Sequence, residues 1–289
     1  IKVCINKKYF VKTMYKILLL NLYYDLKINF MQNELNIVAI QAKLTWENPA
    51  VNLLFFEQKI AQLDSDTDLI VLPEMFSTGF TMQPTSIAQT MKGSVVLWMI
   101  ATARVNNVAI IGSIVVQENH QYFNRAIFVH PNGLIDTYDK RHLFSLAAED
   151  TLYTPGSTRL IVHFKGWRIC PLICYDLRFP VWSRNTNNYD LLLFMANWPI
   201  ARIDAWDTLL KARAIENMSY CIGVNRIGED ANGYQYNGHT TAYDFLGKEI
   251  ARTTEGKEDL LQCVISKTLQ EETRKKLSFL NDKDSFKIQ

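Results

Sequence analysis

No G-x-G-x-x-G, no G-x-x-x-x-G-K-[ST], no G-x-S-x-G and no H-E-x-x-H occurs in the 289 residues. Those absences remove the common nucleotide-binding, serine-hydrolase and zincin readings. Charge of neither sign is in excess: 31 lysines and arginines stand against 29 aspartates and glutamates, a formal net charge of +2. The cations are scattered rather than gathered on a face, which argues against nucleic acid and leaves a small molecule as the expected partner. Cysteine is scarce and odd in number, five residues lying mostly in apolar strand-like runs. A secreted disulfide framework is thereby excluded, and a reducing, cytoplasmic compartment is expected. The five histidines are dispersed and none pairs with a cysteine at ligand spacing, so neither a metal nor a cofactor is expected. Long hydrophobic runs are also missing. The Ile-Leu-Leu-Leu stretch at 17–20 is too short, and too closely followed by Asn21, Asp25 and Lys27, to span a membrane.

What is present suits one large α/β domain with a sizeable core, 48% hydrophobic and 21% charged. Residues 1–30 do not resemble the rest and read as a leader, disordered or not native. Met31 precedes Asn36-Ile37-Val38-Ala39-Ile40-Gln41, the first convincing core strand, so the domain is taken as 31–289. A helix starts at Asn48-Pro49 with Val51, Leu54, Phe55 and Ile60 as its apolar face. A strand over 68–72 ends at Pro73-Glu74, a helix covers 95–105, and a strand over 108–116 is broken by Gly112. The stretches 122–130 and 134–138 flank Pro131-Asn132-Gly133 as a hairpin that exits at Asp139-Lys140. A second hairpin turns at Lys165-Gly166 into the apolar run 168–173, which stops at Cys174. The strand 190–195 ends at Ala196-Asn197-Trp198-Pro199, followed by a long helix over 203–219 and a strand over 220–224. Hairpin-like pieces then continue to the strand 259–265, and a last helix covers 269–277. Alternating strands and helices with hairpins between them imply a mixed sheet, or a pair of sheets, covered by helices.

Three of these strands end in a reactive side chain: Glu74, Lys140 and Cys174. Each alone has an ordinary reading, as a turn cap, a solvated hairpin residue and a small buried hydrophobe. Together on one sheet edge they would bring a carboxylate, an ammonium and a thiol into one cleft.

Leu72-Pro73-Glu74-Met75-Phe76, Tyr138-Asp139-Lys140-Arg141-His142-Leu143-Phe144 and Ile173-Cys174-Tyr175-Asp176-Leu177-Arg178-Phe179-Pro180 resemble the three signatures of the nitrilase (carbon–nitrogen hydrolase) superfamily. Ala196-Asn197-Trp198-Pro199 and Lys211-Ala212-Arg213-Ala214-Ile215-Glu216-Asn217 are similar to its omega-amidase, or 2-oxoglutaramate amidase, branch. The resemblance covers about residues 35–286 and implies a single-domain, four-layer αββα sandwich, commonly paired as a homodimer through one helical layer. It implies hydrolysis, without cofactor, of the terminal amide of a small 2-oxo dicarboxylic acid monoamide through a cysteine thioester. Cys174 is then the nucleophile, its thiolate favoured by a nearby ammonium. Glu74 is the base, and Lys140 and the backbone N–H of Tyr175 bind the oxyanion. A second glutamate ahead of a Pro-Gly turn matches Glu149, with Asp150 as the fallback. Asn197, Trp198, Phe80 and Arg202 are expected to bind substrate, Arg202 holding its carboxylate, whereas Arg178 is expected in a buried ion pair below the nucleophile. Cys170 and Cys221 are assigned to the core. The same triad also serves N-carbamoyl amines and nitriles, and a thiol-bearing protein that keeps only the fold is the rival from another class.

If Met31 is the native start, a chain beginning there is expected to match the full chain in activity and melting temperature, since nothing before Asn36 carries a core pattern. A large loss on truncation, read by thermal unfolding, would overturn that expectation.

Overall fold

The computed structural model describes residues 33–287. The leader 1–30 and Met31 therefore lie outside the described residues. One six-stranded sheet runs in the order β14 (Asp259–Ser266), β1 (Glu34–Gln41), β2 (Leu69–Val71), β3 (Ala109–Glu118), β4 (Gln121–Val129), β5 (Ile135–Asp139). The other runs β13 (Glu249–Arg252), β12 (Thr241–Tyr243), β9 (Tyr220–Val224), β8 (Leu191–Met195), β7 (Trp167–Ile173), β6 (Val162–Phe164). A separate hairpin pairs β10 (Ile227–Glu229) with β11 (Gln235–Asn237). The central pairings β1–β2–β3 and β7–β8–β9 are parallel, and the outer ones antiparallel.

Strand periodicity builds the layers. Leu35, Ile37 and Ala39 of β1 join the core between the two sheets, while Val38 and Ile40 face the helices α1 (Pro49–Ile60) and α2 (Ser94–Asn106). Both faces of the first sheet are thus apolar, which is why its strands read as continuous hydrophobic runs rather than alternating ones. The second sheet is covered by α3 (Ile203–Asn217), whose Trp206, Leu210 and Ala214 are buried against it. The result is helices, sheet, sheet, helices, as the resemblance implies.

Three local expectations are corrected. On α1 the buried positions are Asn52, Phe56 and Ile60, while Val51 and Leu54 are exposed. Apolar residues lie almost all round this helix, so its face is set by Asn52, whose amide donates to the carbonyls of Thr45 and Ser77. Gly112 does not break β3, which stays paired with β4 on both sides of it. It makes room instead: a Cβ there would stand 2.7 Å from Phe76 Cδ1 and 2.9 Å from Leu72 Cβ. Lastly, β14 does not continue a local hairpin but crosses to pair antiparallel with β1 and close the edge of the first sheet.

Gly112→Ala is expected to destabilise the protein by about 1–3 kcal/mol, as overpacking of a closed core does. Denaturant unfolding checks this, and a variant as stable as the parent would show that Phe76 has room to move.

Candidate active site

Three strand ends meet at one point between the sheets. Glu74 follows β2 after Leu72-Pro73, Lys140 follows β5 directly, and Cys174 follows β7 directly. The parallel strands β7 and β8 run side by side with Ile173 opposite Met195, so the residues after them, Cys174 and Asn197, emerge on the same edge. Cys174 opens a 3-10 turn (Cys174–Arg178) with a left-handed φ of 44°. Met75, next to Glu74, has the same φ of 44°. Two non-glycine residues in that region beside the same cluster are a concentration of backbone strain.

The Lys140 and Glu74 side chains have no solvent exposure and neither has that of Glu149. Lys140 Nζ donates to Glu74 Oε1 at 2.8 Å and to Glu149 Oε2 and Oε1 at 2.9 and 3.1 Å. The other Glu74 oxygen accepts from the backbone N–H of Asn197 at 2.9 Å and from its side-chain amide at 3.3 Å. Glu149 Oε2 accepts the backbone N–H of Phe144 at 2.6 Å. Asp150, the fallback, is exposed. Burial alone would lower the Lys140 pKa, but Glu149 and Glu74 outweigh it and hold the ammonium above its ordinary range. Burial pushes the Glu149 carboxyl up, Lys140 pulls it down and Glu74 pushes it up again, with a net rise.

The thiol departs from expectation. Burial, then the Glu74 carboxylate, raise Cys174 well above the usual thiol range, and Lys140 only partly opposes them. The ammonium is already engaged by two carboxylates, so little of its field is left to favour a thiolate. The resting group is a neutral thiol beside a carboxylate, with Sγ 3.9 Å from the Asn197 carbonyl oxygen.

Cys174 opens onto a cavity of about 260 Å3, walled by Phe80, Met82, Phe144, Trp198, Tyr234 and Tyr236. Phe80 lies under the ammonium, 5.1 Å from Nζ. Tyr175 also lines the cavity and sets its ring edge-on to Phe144. Arg202 is in the wall with its guanidinium 5.3 Å from the Phe144 ring, and its carbonyl accepts the Trp198 indole N–H at 2.8 Å. Arg178 is a correction. It is exposed and lines the same cavity, its guanidinium 5.1 Å from the Trp198 ring. The buried arginine beneath the Cys174 turn is Arg213 of α3, which donates twice to the Leu177 carbonyl and pairs with Glu216. Among the described residues neither Arg178 nor Arg202 forms an ion pair, and no group of His, Cys, Asp and Glu could hold a metal.

Two residues that the sequence did not single out hold the site together. Asp176 accepts from Ile173 N, Tyr138 OH, His142 N and His142 Nδ1, clamping the Cys174 turn to the loop that carries Lys140. Asn124 of β4 donates to both Glu74 and Glu149. Its signal was a polar side chain beside Arg125, the register partner of Asp139, where β4 turns apolar.

The carbon-nitrogen hydrolase family model matches residues 36–275. The omega-amidase YafV of Escherichia coli (strain K12) is 43% identical over 88% of this chain and 98% of its own length. The 2-oxoglutaramate amidase of Bacillus subtilis (strain 168) is 32% identical over 74% of this chain and 85% of its own. The structure of XC1258 from Xanthomonas campestris, a CN-hydrolase superfamily protein with an arsenic adduct in the active site, superposes with a TM-score of 0.86. It is 39% identical and the match covers 89% of this chain and 99% of that one.

Gly156 donates its N–H to the Lys140 carbonyl, and a Cβ added there would stand 2.1 Å from the Asp139 carbonyl oxygen. Gly156→Ala is therefore expected to displace the strand end bearing Lys140 and to lower the melting temperature by several degrees. An unchanged melting curve would mean that this strand end is not fixed by the loop.

Proposed function

The chain belongs to the carbon–nitrogen hydrolase family, and on that premise we propose that it cleaves the terminal amide of a small 2-oxo dicarboxylic acid monoamide, such as 2-oxoglutaramate or 2-oxosuccinamate. The products are the dicarboxylic acid and ammonia. One observation carries the substrate class: a cavity with the thiol inside it and two guanidinium groups on its wall, neither in an ion pair among the described residues. Such a cavity suits a molecule with a neutral amide at one end and a single carboxylate at the other. The names of the relatives, omega-amidase and 2-oxoglutaramate amidase, support the same choice.

The chemistry follows from the neutral thiol. Glu74 takes the Cys174 proton as Sγ attacks the amide carbonyl, and the new oxyanion is met by Lys140 Nζ and the Tyr175 backbone N–H. Each such donor contributes about 3–4 kcal/mol where water is excluded. Protonated Glu74 then passes its proton to the departing nitrogen, the C–N bond breaks, and ammonia leaves a thioester on Sγ. Water enters, gives a proton to Glu74 and attacks the thioester, and the released thiolate recovers that proton. One carboxylate serves as base, acid and base again. Glu149 holds the ammonium in place throughout. Asn197 secures the Glu74 oxygen that Lys140 does not touch, and Phe80 and Trp198 shape the acyl site. Arg202 and Arg178 bind the substrate carboxylate.

The enzyme is read as a cytoplasmic homodimer without cofactor. Exposed Val181, Ile215 and Leu246 near the outer face of the α3 layer support pairing there with a second copy.

Cys174→Ala is expected to abolish ammonia release with the fold intact, and Cys170→Ala, which empties space in the closed core, to lower stability while keeping activity. Arg202→Ala and Arg178→Ala should each lower kcat/KM for 2-oxoglutaramate by about ten- to a hundred-fold, mainly through KM. Ammonia release from a neutral amide of the same length, poor in the parent, should change little. Equal losses for the charged and neutral amides would refute carboxylate binding by these arginines, and no turnover of either monoamide would refute the function.

A further inference from the structure

Asn124 is fully buried within β4, and the chemical steps above leave it without a task. Its side-chain nitrogen lies 2.8 Å from Glu74 Oε1 and 3.1 Å from Glu149 Oε1. Lys140 Nζ touches both of these oxygens as well as Glu149 Oε2, so ammonium and amide share the pair of carboxylates. The amide cannot be turned round without loss. Its Oδ1 accepts from Ser113 Oγ at 2.9 Å, and Ser113 Oγ in turn accepts the Met75 backbone N–H at 2.8 Å. A flipped amide would set its oxygen against two carboxylates and an –NH2 against the hydroxyl. The backbone carbonyl of Asn124 also accepts the Lys140 N–H at 3.0 Å. One residue therefore touches the proposed base, its ammonium partner and the second glutamate, each through a different atom or proton.

Resting on the catalytic reading above, we propose that Asn124 is a positioning residue for that reaction: its two amide protons hold Glu74 and Glu149 at fixed spacing and favour the charged pair, so that Glu74 is placed to take the Cys174 proton. Two like charges at this distance disfavour each other, and a single ammonium neutralises only one of them. An uncharged group with two N–H donors on a short arm stabilises both without adding charge. Serine and threonine offer one donor, glutamine has a longer arm, and a carboxyl would add a third acid. The other ionisable groups facing the pair are Lys140 at the end of β5, Cys174 on the 3-10 turn and Tyr153 beyond the helix Glu149–Leu152, with Glu47 in the loop after β1 acting on Tyr153. None of these is an uncharged donor already bonded to both carboxylates. Ser113 acts at one remove, by directing the amide.

The sign is fixed. Donors to a carboxylate favour its charged form, so losing them moves protonation of the pair to higher pH. The test is the rate at which iodoacetamide alkylates Cys174 as a function of pH, followed by intact-protein mass. On the acid side this rate falls when the pair takes up a proton and the thiol loses its acceptor. In Asn124→Ala the acid-side midpoint should rise by about one pH unit or more, the equivalent of one hydrogen bond to a charged group. In Ser113→Ala, which removes only the partner of the amide oxygen and leaves both carboxylate bonds in place, it should rise by much less. Turnover should show the same displaced limb, with kcat reduced more than KM. A lower melting temperature with an unmoved midpoint would overturn the proposal, because a merely structural asparagine gives that result. If Asn124→Ala fails to fold, Asn124→Ser, which keeps a polar side chain but offers one donor, decides alone: a raised midpoint supports the role and an unmoved one refutes it. Alkylation needs no natural substrate, so a parent enzyme inactive on 2-oxo monoamides would sink the proposed function while this midpoint still reports on Asn124.

Discussion

An ammonium held between two carboxylates, all three shut away from water, is the constraint on which the site depends. Taking such ions out of water costs several kcal/mol each unless every lone pair and proton finds a partner. The partners here come from separate places in the chain: Asn124 on β4, Phe144 after β5 and Asn197 after β8. No short segment could supply them. The cluster is a product of the closed sandwich, and this explains why loops at the strand ends are tied down by side chains such as Asp176 and by close backbone approaches such as Gly156.

The same constraint governs the thiol. With Lys140 committed to carboxylates, Cys174 sits beside an excess of negative charge, which favours the neutral thiol. The left-handed backbone at Cys174 and Met75 points to strain held in place by neighbours: Asp176 grips the turn of one, and Ser113 the N–H of the other. The proposed nucleophile and base are thus each set on a turn that the surrounding sheets over-determine.

Much of this was legible in the sequence because strands announce their ends. Glu74 and Cys174 each interrupt an apolar run, Lys140 follows the second strand of a hairpin, and the layers follow from runs too long and too apolar to have a wet face. Asn124 was hidden because its importance lies in register, in which residue of β5 it opposes, and register is not written in one strand. Arg178 was misread because its place in the motif does not reveal that Asp176, the nearest acid, is already committed to Tyr138 and His142. The direction of the Cys174 shift was missed for a related reason: proximity to a lysine says nothing until the other neighbours of that lysine are known. The wrong face on α1 came from counting apolar residues where a single polar side chain, Asn52, sets the orientation.

Glu74 and Glu149 outnumber Lys140 behind Cys174, which forms the floor of the cavity, and the wall carries Arg178 and Arg202 together with Asp230. Under the proposed reaction the incoming amide is neutral where it meets the floor, but the acid that replaces it is an anion. Turnover thus creates a like charge against the glutamates at the moment the acyl–sulfur bond breaks. On the proposed reading the arginines still hold the far carboxylate while the near one is repelled, a difference in charge that favours substrate over product. An enzyme built this way discharges its product as a direct outcome of the chemistry, with no moving part assigned to release.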